Sequence, residues 1–207
     1  EVLLMFTLSA TAFALADLAV GNIERLRRYV RTGLLDAVLI RPLRVLPQLL
    51  AVDFALRRVG RAAYAVILYG AVLGYAGITW TPGRAALAVV APLAGAVLFG
   101  AIFVATATVA FWWIDSGELA NTLTYGGQNV TSYPVTVYSG WFRRLFAYGL
   151  GFGFVAYYPA LYLLGRPDPL GLPAATGWAS RAVSAAAVGV AAVIWRIGVR
   201  HYRSTGS

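Results

Sequence analysis

Few side chains in this sequence could carry acid–base, nucleophilic or metal chemistry. His201 is the only histidine, cysteine is absent, and all seventeen basic residues are arginines. A histidine-based metal site or catalytic triad within one chain is therefore not expected. The absence of lysine excludes a phosphate-binding P-loop and a Schiff-base lysine. If ATP drives this protein, another chain must hydrolyse it.

Asp17 is the carboxylate that interrupts an apolar run. It lies near the end of the run 2–21, where an aspartate usually faces the membrane interface. A buried functional role is the less frequent alternative. One carboxylate is weak evidence for a membrane enzyme. The sequence therefore predicts no catalytic residue and no metal site.

The elements that must hold these residues are strongly apolar. Hydrophobic residues make up 60% of the 207-residue chain and charged residues 12%, against about 25% charged residues in average soluble domains. This composition predicts an all-α integral membrane protein with one domain over residues 1–207. The net charge of +9 would also suit nucleic acid, but the arginines alternate with apolar runs, which favours membrane topology and no nucleic-acid partner.

Five apolar runs are long enough to cross a bilayer core of roughly 30 Å. Their approximate bounds are 2–21, 62–83, 85–114, 145–165 and 178–197. The loop 22–61, the polar segment 115–144 and the C-terminal end hold fourteen of the arginines, and the positive-inside rule makes their side cytoplasmic. Five spans with a cytoplasmic C-terminus put the N-terminus outside, and one further upstream span would give six.

The loop 22–61 is amphipathic. In its first half, apolar residues recur at steps of three and four with arginines opposite, as in a surface helix. Arg41-Pro42 should end that helix, because the residue before a proline avoids the α region, and a second amphipathic piece follows. Composition alone favours an interfacial helix pair anchored to anionic lipid. A docking surface for a cytoplasmic partner is the alternative.

The span 145–165 contains Tyr157, Tyr158 and Pro159 near its middle. Pro159 should bend the helix, because proline removes a backbone hydrogen bond. These three residues are candidates for lining a substrate path. Packing in the interior is the more frequent role for such tyrosines.

Three stretches together resemble the permeases of ABC exporters of the second type, in the bacterial subfamily whose permeases are encoded in pairs beside one ATPase. They are Gly33–Leu43 (GLLDAVLIRPL) with Arg57–Arg61, Tyr133–Tyr138 (YPVTVY) with Trp141–Leu145, and Ala156–Ala160 (AYYPA) with Leu163–Gly165. The chain departs from the family pattern at Gly149–Gly153, where the family often has a proline.

The resemblance implies a permease of six spans above two ATPase subunits. A second permease, identical or paralogous, would pair with it around a central path. ATP and magnesium would bind to the ATPase, and this chain would bind no cofactor directly. Membrane lipids are the remaining expected partner.

The resemblance also implies a coupling helix in the loop 22–61, which would dock in a groove of the ATPase. With the resemblance, docking outweighs the lipid-anchored interpretation. The residues predicted to contact the ATPase are Gly33, Leu34, Asp36, Leu39, Arg41, Pro42 and Leu43.

The sequence therefore predicts a multi-pass subunit of an ATP-driven exporter in the bacterial cell membrane, itself not an enzyme. It would move an amphipathic or hydrophobic substrate. The alternative is a membrane scaffold or sensor that transports nothing and recruits a cytoplasmic partner through the same loop.

Overall fold

A computed structural model describes residues 1–51, 53, 55–113 and 116–202, and within them the chain is helical with no β-strand. Ile114, Asp115 and Arg203, which entered the span and charge predictions, lie outside the described residues. The predicted all-α membrane fold is confirmed. The α-helices are α1 (Val2–Val20), α2 (Leu26–Arg31), α3 (Leu34–Leu39), α4 (Val45–Leu50), α5 (Leu56–Tyr75), α6 (Pro82–Thr108), α7 (Gly117–Thr131), α8 (Gly140–Arg143), α9 (Tyr157–Leu164) and α10 (Ser180–His201).

Three helical stretches of the described chain are long and apolar enough to cross a membrane. They run from Val2 to Arg31, from Pro82 to Phe111 and from Ala174 to His201. Each contains one long α-helix extended by 3-10 turns or a short helix. They correspond to the predicted spans 2–21, 85–114 and 178–197.

Helix α6 lies at the centre of the bundle, with α1 against one side and α10 against the other. The α1–α6 contact is aromatic, because the ring of Phe13 lies 5.3 Å from that of Phe99 and 5.5 Å from that of Phe103. All three rings are buried. Most of α10, in contrast, is exposed, so α10 lies at the edge of the bundle.

Helix α5 differs from the predicted span 62–83. It begins at Leu56 and ends at Tyr75, and three arginines fall in its first two turns. Gly77 ends the helical path with a positive φ of 64°, a conformation that glycine adopts readily at helix ends. The uncharged helical part, 62–75, is therefore about 21 Å long, short of a bilayer core of roughly 30 Å.

The predicted span 145–165 is a bent pair of helical arms. The arms Gly140–Gly149 and Phe152–Leu164 meet at 61°. The bend lies at residues 150–151, where Gly151 has a φ of 77°. The prediction that Pro159 bends the helix is wrong, because Pro159 lies in the first turn of α9, where a missing N–H breaks no helical hydrogen bond.

The polar segment 115–144 contains the fifteen-residue helix α7. Two of its threonines face the bundle, whereas Glu118, Asn121, Thr122 and Asn129 are exposed. The hydroxyls of Thr131 and Ser9 are 2.5 Å apart, and Thr124 is also buried. Protein contacts therefore cover this polar segment on its inner side.

Candidate functional site

The ends of α1, α6 and α10 meet a short helical hairpin, residues 33–50, at the arginine-rich end of the bundle. Gly33 starts it with a φ of 70°, which glycine adopts without steric cost. Helix α3 then runs for six residues and ends before Arg41-Pro42, as the proline rule predicts. Helix α4 returns the chain toward the bundle.

The inner side of the hairpin is packed against the bundle. Leu35, Val38 and Leu49 are buried and belong to the main hydrophobic core. The side-chain amide of Gln48 donates to the carbonyls of Val38 at 3.2 Å and Leu43 at 3.0 Å. These two bonds join α4 to the end of α3 and to the turn, so the hairpin holds one shape.

The outer side of the hairpin exposes large apolar side chains. Leu34, Leu39, Ile40 and Leu43 are 45, 39, 84 and 66% exposed, and we name these four residues the docking face. Arg41 and Pro42 beside them are exposed too. Grouped exposed apolar residues are typical of interaction sites. The contact residues predicted from the sequence did not include Ile40, although they included its two neighbours, Leu39 and Arg41.

Asp36 binds within the chain. The hydroxyl of Tyr202 donates to its Oδ1 at 3.0 Å, and the ring of Tyr202 packs edge-on against Phe111 at 5.9 Å. Burial, and next the bond to Asp36, raises the pKa of the Tyr202 phenol, so the hydroxyl remains a donor at neutral pH. Asp36 therefore ties the hairpin to the ends of α6 and α10.

A second tie joins the end of the hairpin to α1. The side-chain amide of Asn22 donates to the carbonyls of Leu50 at 2.8 Å and Asp53 at 2.5 Å. Its oxygen accepts a 2.5 Å bond from Arg58 of α5. Asn22 thus connects three separate pieces of backbone through one side chain.

Asp17 belongs to the same polar network as Asn22, because both bind Arg58. It is only 3% exposed, and its two oxygens lie 3.0 Å from Arg58 Nε and 3.0 Å from Arg61 Nη1. The expectation that Asp17 faces the interface is wrong. Two arginines placed one turn apart on α5 balance its charge, which makes burial of the carboxylate tolerable.

Several apolar grooves flank the α6–α10 pair. The first groove, about 590 Å³, lies between α1, α6 and α10 and includes Leu46 of α4. The second groove, about 470 Å³, lies between α6, α10 and the break at Gly149–Gly151. Interrupted helices beside cavities are common at transport sites.

Comparison with known proteins gives one family. The model of the family described as ABC-2 family transporter protein matches residues 1–206. The chain belongs to the ABC-2 transporter family. Its recognition as a permease of this type is confirmed, and so is its multi-pass membrane architecture. No curated protein and no solved structure matches the chain.

Membership of the family makes this chain the membrane component of a transporter, and such permeases generally work with an ATPase partner. The residues predicted to contact that partner do not all lie on the docking face. Leu34, Leu39 and Leu43 lie on the docking face, whereas Asp36 binds Tyr202.

The residues predicted for a substrate path are buried in this structure. Tyr157 and Tyr158 are 3 and 1% exposed. The hydroxyl of Tyr157 donates to Asp168 at 2.9 Å, and that of Tyr158 to Tyr148 at 3.1 Å. With Pro159, they line neither groove, and their role in a path stays a prediction.

Proposed function

We propose that this permease is the membrane-spanning subunit of an ATP-driven exporter in the bacterial cell membrane and that the docking face binds the ATPase. The observation that supports this most is the docking face itself, four exposed apolar side chains on a hairpin whose other side is packed. The docking face lies at the arginine-rich end of the bundle. The positive-inside rule predicts that this end is in the cytoplasm, where an ATPase is available.

The proposed mechanism is a rigid-body movement. Closure of two ATPase subunits around ATP moves the hairpin, and its ties carry the movement into the bundle. Asn22 transmits the movement to α1 and α5, and Asp36 transmits it to α10. ATP can shift the permease between two states only if the ATPase binds them with different affinities.

The substrate in this proposal is amphipathic or hydrophobic. The second groove, beside α6 and α10, is lined mainly by apolar residues, which supports this class. A second permease, identical or paralogous, completes the central path. ATP and magnesium bind to the ATPase subunits.

The test compares two leucines of nearly equal exposure. Leu39 on the docking face is 39% exposed, and Leu119 on α7 is 41% exposed. We expect Leu39→Asp to strip the ATPase from the permease, because a charge in an apolar contact stays unpaired. Leu119→Asp should keep it. Co-purification in mild detergent followed by mass spectrometry, and substrate-stimulated ATP hydrolysis, measure both variants.

If both variants retain the ATPase equally, the docking face is not the binding site of the ATPase. Retention of a soluble partner that hydrolyses no ATP would favour the alternative, a scaffold or sensor. Equal loss in both variants would show a general disturbance of the fold and would also count against this site.

A further inference from the structure

The first groove has one charged residue in its own lining, and a smaller groove that shares Leu93 and Val97 with it is lined by Arg181. Its sixteen lining residues are apolar except for Arg196. Small residues form much of its lining, among them Ala16, Gly100 and Ala192, so the surface is concave. Trp195 lies beside Arg196 and also lines the groove.

Arg196 has no hydrogen bond or ion pair with any residue that the structure describes. Its side chain is exposed, and arginine keeps its charge at any physiological pH. Leu46, from the amphipathic helix α4, lines the same groove. A cation without a protein counter-charge in an apolar groove, beside an amphipathic helix, is complementary to a molecule with one anionic end and a hydrocarbon tail.

The volume of the first groove distinguishes between two possible occupants, a membrane-spanning helix and a single hydrocarbon chain. A membrane-spanning helix, about 10 Å wide and 30 Å long, has a volume of roughly 2,400 Å³. The groove is about 590 Å³, a size that suits a single hydrocarbon chain better. An apolar helix would also cover Arg196 without pairing its charge, which is costly in a membrane.

We propose that the first groove binds one acyl chain of an anionic phospholipid, with the lipid phosphate paired to Arg196. The lipid comes from the leaflet at the arginine-rich end of the bundle. It fills the space between α1, α6 and α10 and is distinct from the transported substrate. The proposal is independent of the docking of an ATPase.

Trp195 provides a probe inside the groove. The full-length permease, with the subunits that co-purify, is reconstituted into phosphatidylcholine vesicles. Brominated phosphatidylglycerol or brominated phosphatidylcholine is then added at equal mole fraction. Bromine on an acyl chain quenches nearby tryptophan fluorescence, and subtraction of the Trp195→Phe signal isolates Trp195 from the other five tryptophans.

We expect phosphatidylglycerol to bind at Trp195 about fivefold more strongly than phosphatidylcholine, the factor expected of one arginine at an anionic surface. Arg196→Gln should bring that ratio to about one, and Arg196→Lys should largely restore it. Arg200→Gln is the matched control, because Arg200 is an exposed arginine one turn along α10 that does not line the groove. It should leave the ratio unchanged.

A second pair of variants tests the apolar part. Ala192→Phe fills the groove and should reduce the quenching of Trp195 by both lipids. Ala182→Phe, at an exposed position of α10 that does not line the groove, should reduce neither.

Three results would overturn the proposal. Equal quenching by the two lipids in the unmodified permease would remove the anionic specificity. An equal loss of preference in Arg200→Gln and Arg196→Gln would assign it to the general surface charge. Absence of quenching by either lipid would show that protein, such as a second copy of the permease, covers Trp195.

Discussion

The middle of the bundle and its arginine-rich end are held together by different interactions. In the middle, α6 meets α1 through aromatic rings and α10 through small residues, and the hydrogen bonds there join uncharged groups, as when Ser184 donates to the Ala94 carbonyl at 2.6 Å. At the arginine-rich end, Asp17, Asn22 and Asp36 connect helices and loop through hydrogen bonds and ion pairs. Hydrogen bonds in which one partner is charged are shorter and stronger than those between neutral groups. The end that carries the docking face is therefore held by the stronger polar contacts.

The largest effect should come from breaking the network at Asp17. Asp17→Ala leaves Arg58, whose side chain is only 16% exposed, without its counter-ion. Removal of one partner of a buried pair costs about 3–5 kcal/mol. The free energy of unfolding, from titration with denaturing detergent, measures the loss.

The matched control for Asp17 is the pair of Arg25 and Asp53, whose side chains are 44 and 46% exposed. Arg25→Ala should cost less than about 1 kcal/mol, because water screens exposed pairs. If the two substitutions cost the same, the network does not differ from a surface pair, and the contrast between the two regions fails.

An intermediate effect should come from the packing between α6 and α10. A Cβ at Gly198 would overlap Thr108 and Phe111 of the neighbouring segment, whereas a Cβ at Gly189 would meet nothing within 4 Å. Gly198→Ala should therefore destabilise the permease by about 1–3 kcal/mol. Gly189→Ala, on the same helix, should be neutral or stabilise by up to about 1 kcal/mol, because alanine favours helix.

Thermal unfolding followed by tryptophan fluorescence compares the two glycine variants. A destabilised Gly189→Ala would show that another chain covers the outer face of α10. An undisturbed Gly198→Ala would show that α10 can move away from α6 without loss.

The smallest effect should come from the tie between Tyr202 and Asp36. Tyr202→Phe removes the hydroxyl but keeps the ring against Phe111, so it should cost about 1 kcal/mol, the typical worth of one hydrogen bond. A double-mutant cycle with Asp36→Asn isolates the pair. Additive losses would mean that the two side chains do not act together and that Asp36 stabilises the hairpin by other contacts.

The sequence predicted the long apolar helices well, because their signal is local. Apolar runs of twenty or more residues with at most two charges identify α1, α6 and α10, and Arg41-Pro42 marks the end of α3. Leu34, Leu39 and Leu43, three of the four exposed apolar residues of the hairpin, were chosen from the position of the loop in the family resemblance. Each of these signals lies within a few turns of the residues that it describes.

The burial of Asp17 could not be predicted in the same way. It depends on Arg58 and Arg61, which follow more than forty residues later, and on the packing of α5 against α1. Similarly, the partner of Asp36 is Tyr202, at the other end of the chain. Local patterns show that a residue is charged, but they do not show which distant residue will neutralise it.

The bends were misplaced because glycine and proline act according to their position. Pro159 looked like the cause of a bend, yet it lies at the start of a helix, where proline is tolerated. Gly77 and Gly151 stop their helices through positive φ angles. Within an apolar run, glycine that packs between helices looks the same as glycine that ends one.

The break at residues 150–151 has a consequence for biosynthesis. Lipid offers no hydrogen-bond partner to backbone groups, so an interrupted helix stays at membrane depth only where protein covers it. Helices α6 and α10 both lie beside the break, but α10 follows it in the chain and leaves the ribosome later. Stable insertion of residues 140–164 therefore waits for a segment that has not yet been translated.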